Sequence, residues 1–268
     1  MLSLPALVTT PDREIMTRTA PRNPIVLIPS RLASTRLPNK SLADIGGAPM
    51  IVHVWRRAVA AKLGPVVVAC GDREIVDAVE AAGGRAVMTA PELPTGSDRI
   101  HVAITAIDPG RAHDAVINVQ GDMPLIEPEA IRLAYAALAD PKTDIATLCA
   151  VIENPEQLTQ DHVNKVVAGF ADPAKPARAL YFSKLPVPWG EGPHYEHIGL
   201  YAYRREALDR YVSLPRGVLE LRERLEQLRA LENGMTISVT LVTPDQHGGQ
   251  VDTPGDLERV RAQVAKHS

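Results

Sequence analysis

Between Pro29 and Lys40 the chain sets three cations, Arg31, Arg36 and Lys40, among the small hydroxyl residues Ser30, Ser34 and Thr35. Arginine offers paired donors to oxygen anions and lysine a compact point charge. The group therefore suits the oxygens of a phosphate or polyphosphate. The segment contains neither GxxxxGK[ST] nor GxGxxG, so neither a Walker loop nor a dinucleotide fingerprint is present, and a Rossmann oxidoreductase is disfavoured.

Two aspartates form the second candidate group. Asp122 closes the segment Gln120-Gly121-Asp122, where Gly121 permits close backbone approach, and Asp252 lies in Gln250-Val251-Asp252-Thr253-Pro254. Two carboxylates from distant strand ends can share one Mg²⁺ with phosphate oxygens and water, which would orient an α-phosphate and offset its charge. Asp252 has a second reading as the cap of the helix that follows it.

These residues need a frame, and the sequence supplies one. Ile25 to Ile28 and Val66 to Cys70 are short continuous apolar runs, as strands buried on both faces require. Ala86 to Thr89 and Asp114 to Val119 read as further strands. Helices are expected over Met50 to Ala61, from a capping Asp72 to before Gly83, from Ser97 to Ile107 and over Glu127 to Leu138. This βα rhythm predicts a doubly wound, mostly parallel sheet that binds ligands at the carboxyl edge of its strands. Beyond residue 144 the rhythm changes: 144–152, 163–170, Ala179 to Phe182 and Ile198 to Tyr203 read as strands of a more antiparallel lobe. One helix is expected over 219–231, with Leu221, Leu225 and Leu228 on a shared face. A last strand, Thr236 to Val242, and a helix, Thr253 to Ala265, close the chain. The expected organisation is an α/β nucleotide-binding core over 23–144, a smaller lobe over 145–215 and a return to the core over 216–268. Residues 1–22 read as a disordered or misassigned extension, with Met16 an alternative start.

Composition narrows the function classes. With 268 residues, 45% of them hydrophobic, the chain can bury a sizeable core. The net charge of −3, without like-charge blocks, disfavours a nucleic-acid or membrane surface. The two cysteines, Cys70 and Cys149, lack CxxC or His/Cys spacing and read as buried, reduced thiols.

Seven segments occur together in order: Arg31 to Lys40, Pro94 to Arg99, Asn118 to Asp122, Tyr181 to Ser183, His197 to Tyr201, Leu225 to Arg229 and Val251 to Pro254. In this set, spread over about residues 24–264, the chain resembles the 3-deoxy-manno-octulosonate (Kdo) cytidylyltransferases. The resemblance implies a Rossmann-like nucleotidyltransferase fold and transfer of CMP from CTP to Kdo with release of pyrophosphate, assisted by Mg²⁺. It implies no protein nucleophile, a cytoplasmic location, a homodimer joined through the second lobe, and a product used in lipopolysaccharide synthesis. Arg31, Ser34, Thr35, Arg36 and Lys40 match its triphosphate loop, with Arg31, Arg36, Lys40 and Asp122 the catalytic set. Ser97, Arg99 and Gln120 match positions near base and ribose, and Asp122 and Asp252 its metal ligands. Lys184, His197, Tyr201, Glu226 and Gln227 match its sugar pocket; Glu226 and Gln227 are expected on the helix face away from the leucines. His197 also reads as a lone hydrogen-bonding histidine.

The chain departs from the family pattern at several points. Lys184 follows Tyr181-Phe182-Ser183 where an arginine is common, which loses bidentate geometry toward a carboxylate. Met123 replaces an acidic residue, Arg216-Gly217-Val218-Leu219-Glu220 replaces a proline-bearing loop, and Ala69-Cys70-Gly71-Asp72 and Gln250 also differ. These leave open a different acidic sugar, of amino-Kdo or sialic type, and a catalytically silent nucleotide-binding protein of the same fold.

Overall fold

The computed structural model describes residues 18–33 and 37–266. The chain runs through β1 (Pro24–Ser30), β2 (Asp44–Ile45), β3 (Ala48–Pro49), α1 (Met50–Ala60), β4 (Val66–Cys70), α2 (Arg73–Ala81), β5 (Arg85–Met88), α3 (Gly96–Ile107), β6 (Ala115–Asn118) and α4 (Pro128–Ala136). It continues through β7 (Ile145–Val151), β8 (Lys165–Ala168), β9 (Ala177–Ser183), β10 (Tyr195–Arg204), α5 (Arg205–Ser213), α6 (Val218–Glu223), α7 (Leu228–Glu232), β11 (Ile237–Val242), α8 (Pro244–His247) and α9 (Pro254–Ala265).

Strand β1 is buried at every position because both its faces are covered. Val26 and Ile28 point into a core shared with α1, α2 and α4. Ile25 and Leu27 point into a second core shared with α3, α5 and α7. The alternation follows from the two-residue period of a strand, and each fully buried aliphatic side chain contributes about 1.5–3 kcal/mol.

Nine strands form one sheet in the order β5-β4-β1-β6-β10-β7-β11-β9-β8. The first four are parallel, and β10 pairs antiparallel with both β6 and β7. The sheet therefore runs unbroken across residue 144, and residues 145–215 supply its antiparallel strands. Because β8 pairs with β9 and also with the start of β10, the strands β10, β7, β11, β9 and β8 close into a ring. Closure hides strand edges that would otherwise be exposed.

The chain leaves β1 for β4 on one side and later returns to β6 on the other. The gap between the carboxyl ends of β1 and β6 is therefore a topological switch point, where such sheets bind ligands.

Three expectations are corrected. Of residues 1–22, 1–17 lie outside the described residues, but 18–22 strap the base of the sheet. Arg18 Nη1 pairs with Asp144 at 2.6 Å, Arg204 Nη1 donates to the Thr19 carbonyl at 2.8 Å, and Tyr135 donates to the Pro21 carbonyl at 2.6 Å. The helix expected over 219–231 is two short helices, α6 and α7. Arg224, in the left-handed region at φ 58°, ends the first, leaving Leu225 and Leu228 buried but Leu221 54% exposed. Asp72 precedes α2 without capping it; its carboxylate accepts from the Leu32 N–H at 2.8 Å instead.

Candidate active site

A cleft of about 330 Å³ opens at the switch point, lined among others by Arg31, Lys40, Thr95, Gly96, Arg99, Gln120, Asp122 and Asp252. Its floor is built by close backbone approach. A Cβ on Gly121 would lie 2.8 Å from the Pro29 carbonyl oxygen, so only glycine lets the turn after β6 lie against the exit of β1. At the rim, Ser41 donates to the Arg31 carbonyl at 3.2 Å, and Ser30 donates to Ser41 at 2.9 Å. The Arg31 residue itself is exposed.

The N-terminus of α3 forms another wall. Thr95 caps the helix by accepting from the Asp98 N–H, which leaves the first turn, with Gly96, beside the cleft. A helix N-terminus carries free N–H groups and partial positive charge and suits phosphate oxygens. Arg99, one turn on, is buried and donates to Thr89 Oγ1, the Ala90 carbonyl and the Pro91 carbonyl. Burial, and then the charge of Arg31, lower its pKa. Arg99 thus anchors the segment after β5 while closing the back of the cleft.

Asp122 and Asp252 meet there. The Val251 N–H donates to the Asp122 carbonyl at 2.9 Å, which brings the two turns together. Thr253, not Asp252, caps α9, and Asp256 accepts from the N–H groups of Asp252 and Thr253. The side chain of Asp252 is therefore released from capping. Lys40 Nζ sits between the two carboxylates, 2.7 Å from Asp122 Oδ2 and 3.1 Å from Asp252 Oδ1, and also donates to the Val251 carbonyl at 3.2 Å. Burial lowers the lysine pKa, but the two carboxylates outweigh it and the net shift is upward.

The donor set fits a divalent cation. Two carboxylates converge on a point already held by a positive charge. The other oxygen of Asp122, Oδ1, is buried and has no hydrogen-bond partner among the described residues, a costly state that a metal would relieve. Among the described residues no group of three or more His, Cys, Asp and Glu could hold a metal, so phosphate oxygens and water would complete the shell of a hard cation. Ser34, Thr35 and Arg36, expected in the same loop, lie outside the described residues.

The residues matched to a sugar pocket do not line this cleft, though His197 lines a neighbouring cavity that shares Asp252 with it. A bulge in β10 between Ile198 and Tyr201 is filled by Thr147, whose hydroxyl lies near the Ile198 and Leu200 carbonyls and 3.0 Å from His197 Nε2. His197 packs edge-on to Phe182 and against Tyr201. Burial pushes its pKa down to about 3, so it is a neutral hydrogen-bonding residue. Glu226 and Gln227 lie in the turn between α6 and α7 rather than on a helix face. Ser97, itself buried, donates to Glu226 at 3.0 Å, and burial raises the Glu226 pKa. Gln227 Nε2 is buried without a hydrogen-bond partner among the described residues. Lys184 is held by its backbone: its N–H donates to Glu223 at 3.2 Å and its carbonyl accepts from Lys165 Nζ at 2.8 Å.

Glu223 and Lys165 escaped the sequence reading. Glu223 also accepts from Tyr181 and Ser183, and Lys165 is fully buried. The available signal was a lysine inside an apolar strand, which demands polar partners. Cys70 and Cys149 are both free and buried, with pKa values pushed up by burial to about 11 and about 12.

The cytidylyltransferase family model matches residues 25–237. The chain belongs to the cytidylyltransferase family. It is similar to the 3-deoxy-manno-octulosonate cytidylyltransferase of Paramagnetospirillum magneticum, 58% identical over 89% of this chain and 96% of that one. It is equally similar to the enzyme of that name from Rhodospirillum centenum, 58% identical over 91% and 94%. Among solved structures it resembles a CMP:2-keto-3-deoxy-manno-octonic acid synthetase complexed with CTP, with a TM-score of 0.83 and 36% identity, over 92% of this chain and all of that one. A 4-diphosphocytidyl-2C-methyl-D-erythritol synthase from Anaerococcus prevotii, 12% identical with a TM-score of 0.61 over 91% of this chain and 99% of that one, shares the fold. The expected α/β nucleotidyltransferase fold and the family resemblance are thus both borne out, and the chain is a nucleotidyltransferase.

Proposed function

We propose that this cytidylyltransferase couples CTP to 3-deoxy-manno-octulosonate, forming CMP-Kdo and pyrophosphate for lipopolysaccharide synthesis in the cytoplasm. The observation that carries the reading is the convergence of Lys40, Asp122 and Asp252 beside Arg31 and the α3 N-terminus, in a chain 58% identical to enzymes of that name.

The geometry suits in-line attack of a sugar hydroxyl on an α-phosphorus. Arg31, Lys40 and the first turn of α3 would bind the phosphates and stabilise the charge that develops on the leaving pyrophosphate. Asp122 and Asp252 would hold Mg²⁺, which supplies Lewis-acid polarisation of the phosphate and alignment of the attacking oxygen. The Glu226–Gln227 turn and His197 would position the acceptor sugar, and catalysis would rest on positioning rather than on a protein nucleophile.

A homodimer is part of the same reading. Leu180, Leu185 and Trp189 are exposed, Trp189 fully, on β9 and the segment that follows it, in the portion expected to carry the subunit contact. Light scattering of the purified protein tests this, with a monomer as the contrary result. The activity is tested by pyrophosphate release from CTP and Kdo, with and without Mg²⁺. Turnover only with both substrates and the metal is expected. Turnover with another acid sugar but none with Kdo would overturn the substrate, and CTP binding without turnover would overturn the enzyme.

A further inference from the structure

Lys40 Nζ lies between the two carboxylates that a metal would need. Its ammonium has three hydrogens, and three acceptors take them: Asp122 Oδ2, Asp252 Oδ1 and the Val251 carbonyl. A divalent ion bridging the same two carboxylates would lie about 2 Å from each oxygen. An ammonium still bonded to those oxygens would then face a double positive charge across a few ångströms, a strongly repulsive arrangement. The two cations therefore compete for the pair in this geometry.

The lysine has somewhere else to go. It lies on the wall of the cleft, at the head of the short 3-10 turn Lys40–Leu42 that follows Asn39 in the left-handed region. A polyphosphate in that cleft would offer oxygens as good as the carboxylates. The pair also remains under-satisfied with lysine in place, since Asp122 Oδ1 has no hydrogen-bond partner among the described residues. A cation with more coordination positions would serve that oxygen better once the ammonium is drawn away.

We propose that Lys40 is an internal counter-ion that closes the Asp122–Asp252 pair to divalent metal in the nucleotide-free protein, so that metal enters only with or after the nucleoside triphosphate. The lysine holds the two carboxylates together before substrate arrives and moves to the phosphates when it does. Metal and nucleotide binding are therefore linked, and by reciprocity each strengthens the other. The inference rests on the triphosphate and metal reading above.

The test is Mn²⁺ binding to the full-length protein, followed by electron paramagnetic resonance of the free ion. Wild type should bind Mn²⁺ weakly alone and about tenfold or more tighter with CTP. Lys40→Met should bind Mn²⁺ without CTP about tenfold or more tighter than wild type does, and Asp122→Asn added to it should abolish the gain. Lys40→Gln gives a second variant, and melting temperature gives a second readout. Without metal both lysine variants should melt below wild type, because the carboxylates repel, and Mn²⁺ should raise them more than it raises wild type. Equal Mn²⁺ affinity of nucleotide-free wild type and both variants would overturn the proposal. Turnover of CTP and Kdo by wild type is measured alongside, so failure of the functional reading is seen separately.

Discussion

The Val251 N–H donates to the Asp122 carbonyl at 2.9 Å, and this backbone bond lets two aspartates far apart in sequence act as one site. It ties the turn after β6 to the segment that enters α9, so the main chain brings the two aspartates side by side. Lys40 then bridges them.

Asp122→Asn keeps the size of the side chain and removes its charge. Asparagine still hydrogen-bonds, and the carbonyl of residue 122 remains available to Val251, so the fold should hold. A metal held by one carboxylate instead of two would lose much of its transition-state stabilisation. If that is several kcal/mol, turnover falls by about three orders of magnitude. Steady-state pyrophosphate release, with circular dichroism as the folding control, checks this; near-normal turnover would refute the metal assignment.

Gly121→Ala probes the floor of the cleft. Its new Cβ would lie 2.8 Å from the Pro29 carbonyl oxygen, which is backbone and cannot swing aside. The β6 turn must retreat from β1, and shifts near 1 Å at a phosphate site cost about a hundredfold in rate. We expect turnover and CTP affinity to fall more than melting temperature does, read by kinetics, calorimetric titration and thermal unfolding. A variant with native CTP affinity would argue against this packing.

Much of this arrangement was legible in the sequence. The apolar runs of β1 and β4 announced strands covered on both faces, and the polar segment after β1 announced the ligand edge. The pairing of β8 with both β9 and β10 was not legible, because ring closure depends on contacts distant in sequence. The break at Arg224 carried no glycine or proline to mark it, and the leucine period across it suggested one helix. Asp72 looked like a cap because its position before α2 is that of one, whereas its partner, the Leu32 N–H, belongs to another segment. The meeting of Lys40 with the aspartates was also hidden: residue types pointed to phosphate and metal, and only the fold shows them facing each other.

Glu220→Gln tests the support beneath the Glu226–Gln227 turn. Glu220 and Arg229 are almost fully buried and joined by hydrogen bonds of 2.8 and 2.7 Å. Breaking a buried pair on one side leaves the other charge uncompensated and costs about 3–5 kcal/mol. Urea denaturation should show a loss of this size, with Arg229 still stacked over Tyr211 and limiting the structural damage. A loss under about 1 kcal/mol, the scale of surface pairs, would mean the pair is solvated.

His197 gives a pH dependence whose sign is fixed by burial. Its folded pKa lies near 3, below the ordinary value of 6.5, so the folded protein keeps the ring neutral while the unfolded chain takes up a proton below pH 6.5. The unfolded state therefore gains as pH falls from 6.5 toward 3, and stability drops by up to about 1.4 kcal/mol per pH unit from this group. Above pH 6.5 the group contributes no slope. The depressed carboxylates Asp108, Asp209, Glu220 and Asp256 also lose their contribution on acidification, but only as pH falls into the carboxylate range. Burial raises the Glu196 and Glu226 carboxyls, which oppose this trend as pH falls, so between pH 7 and pH 5 the comparison of wild type with a His197 variant, and not the wild-type slope alone, isolates His197. His197→Gln keeps a partner for Thr147 and cannot be protonated, so its loss of stability over that interval should be smaller than that of wild type by about 1–2 kcal/mol. Chemical denaturation of both proteins at the two pH values measures the difference, and equal losses would place a charged or solvated ring at position 197.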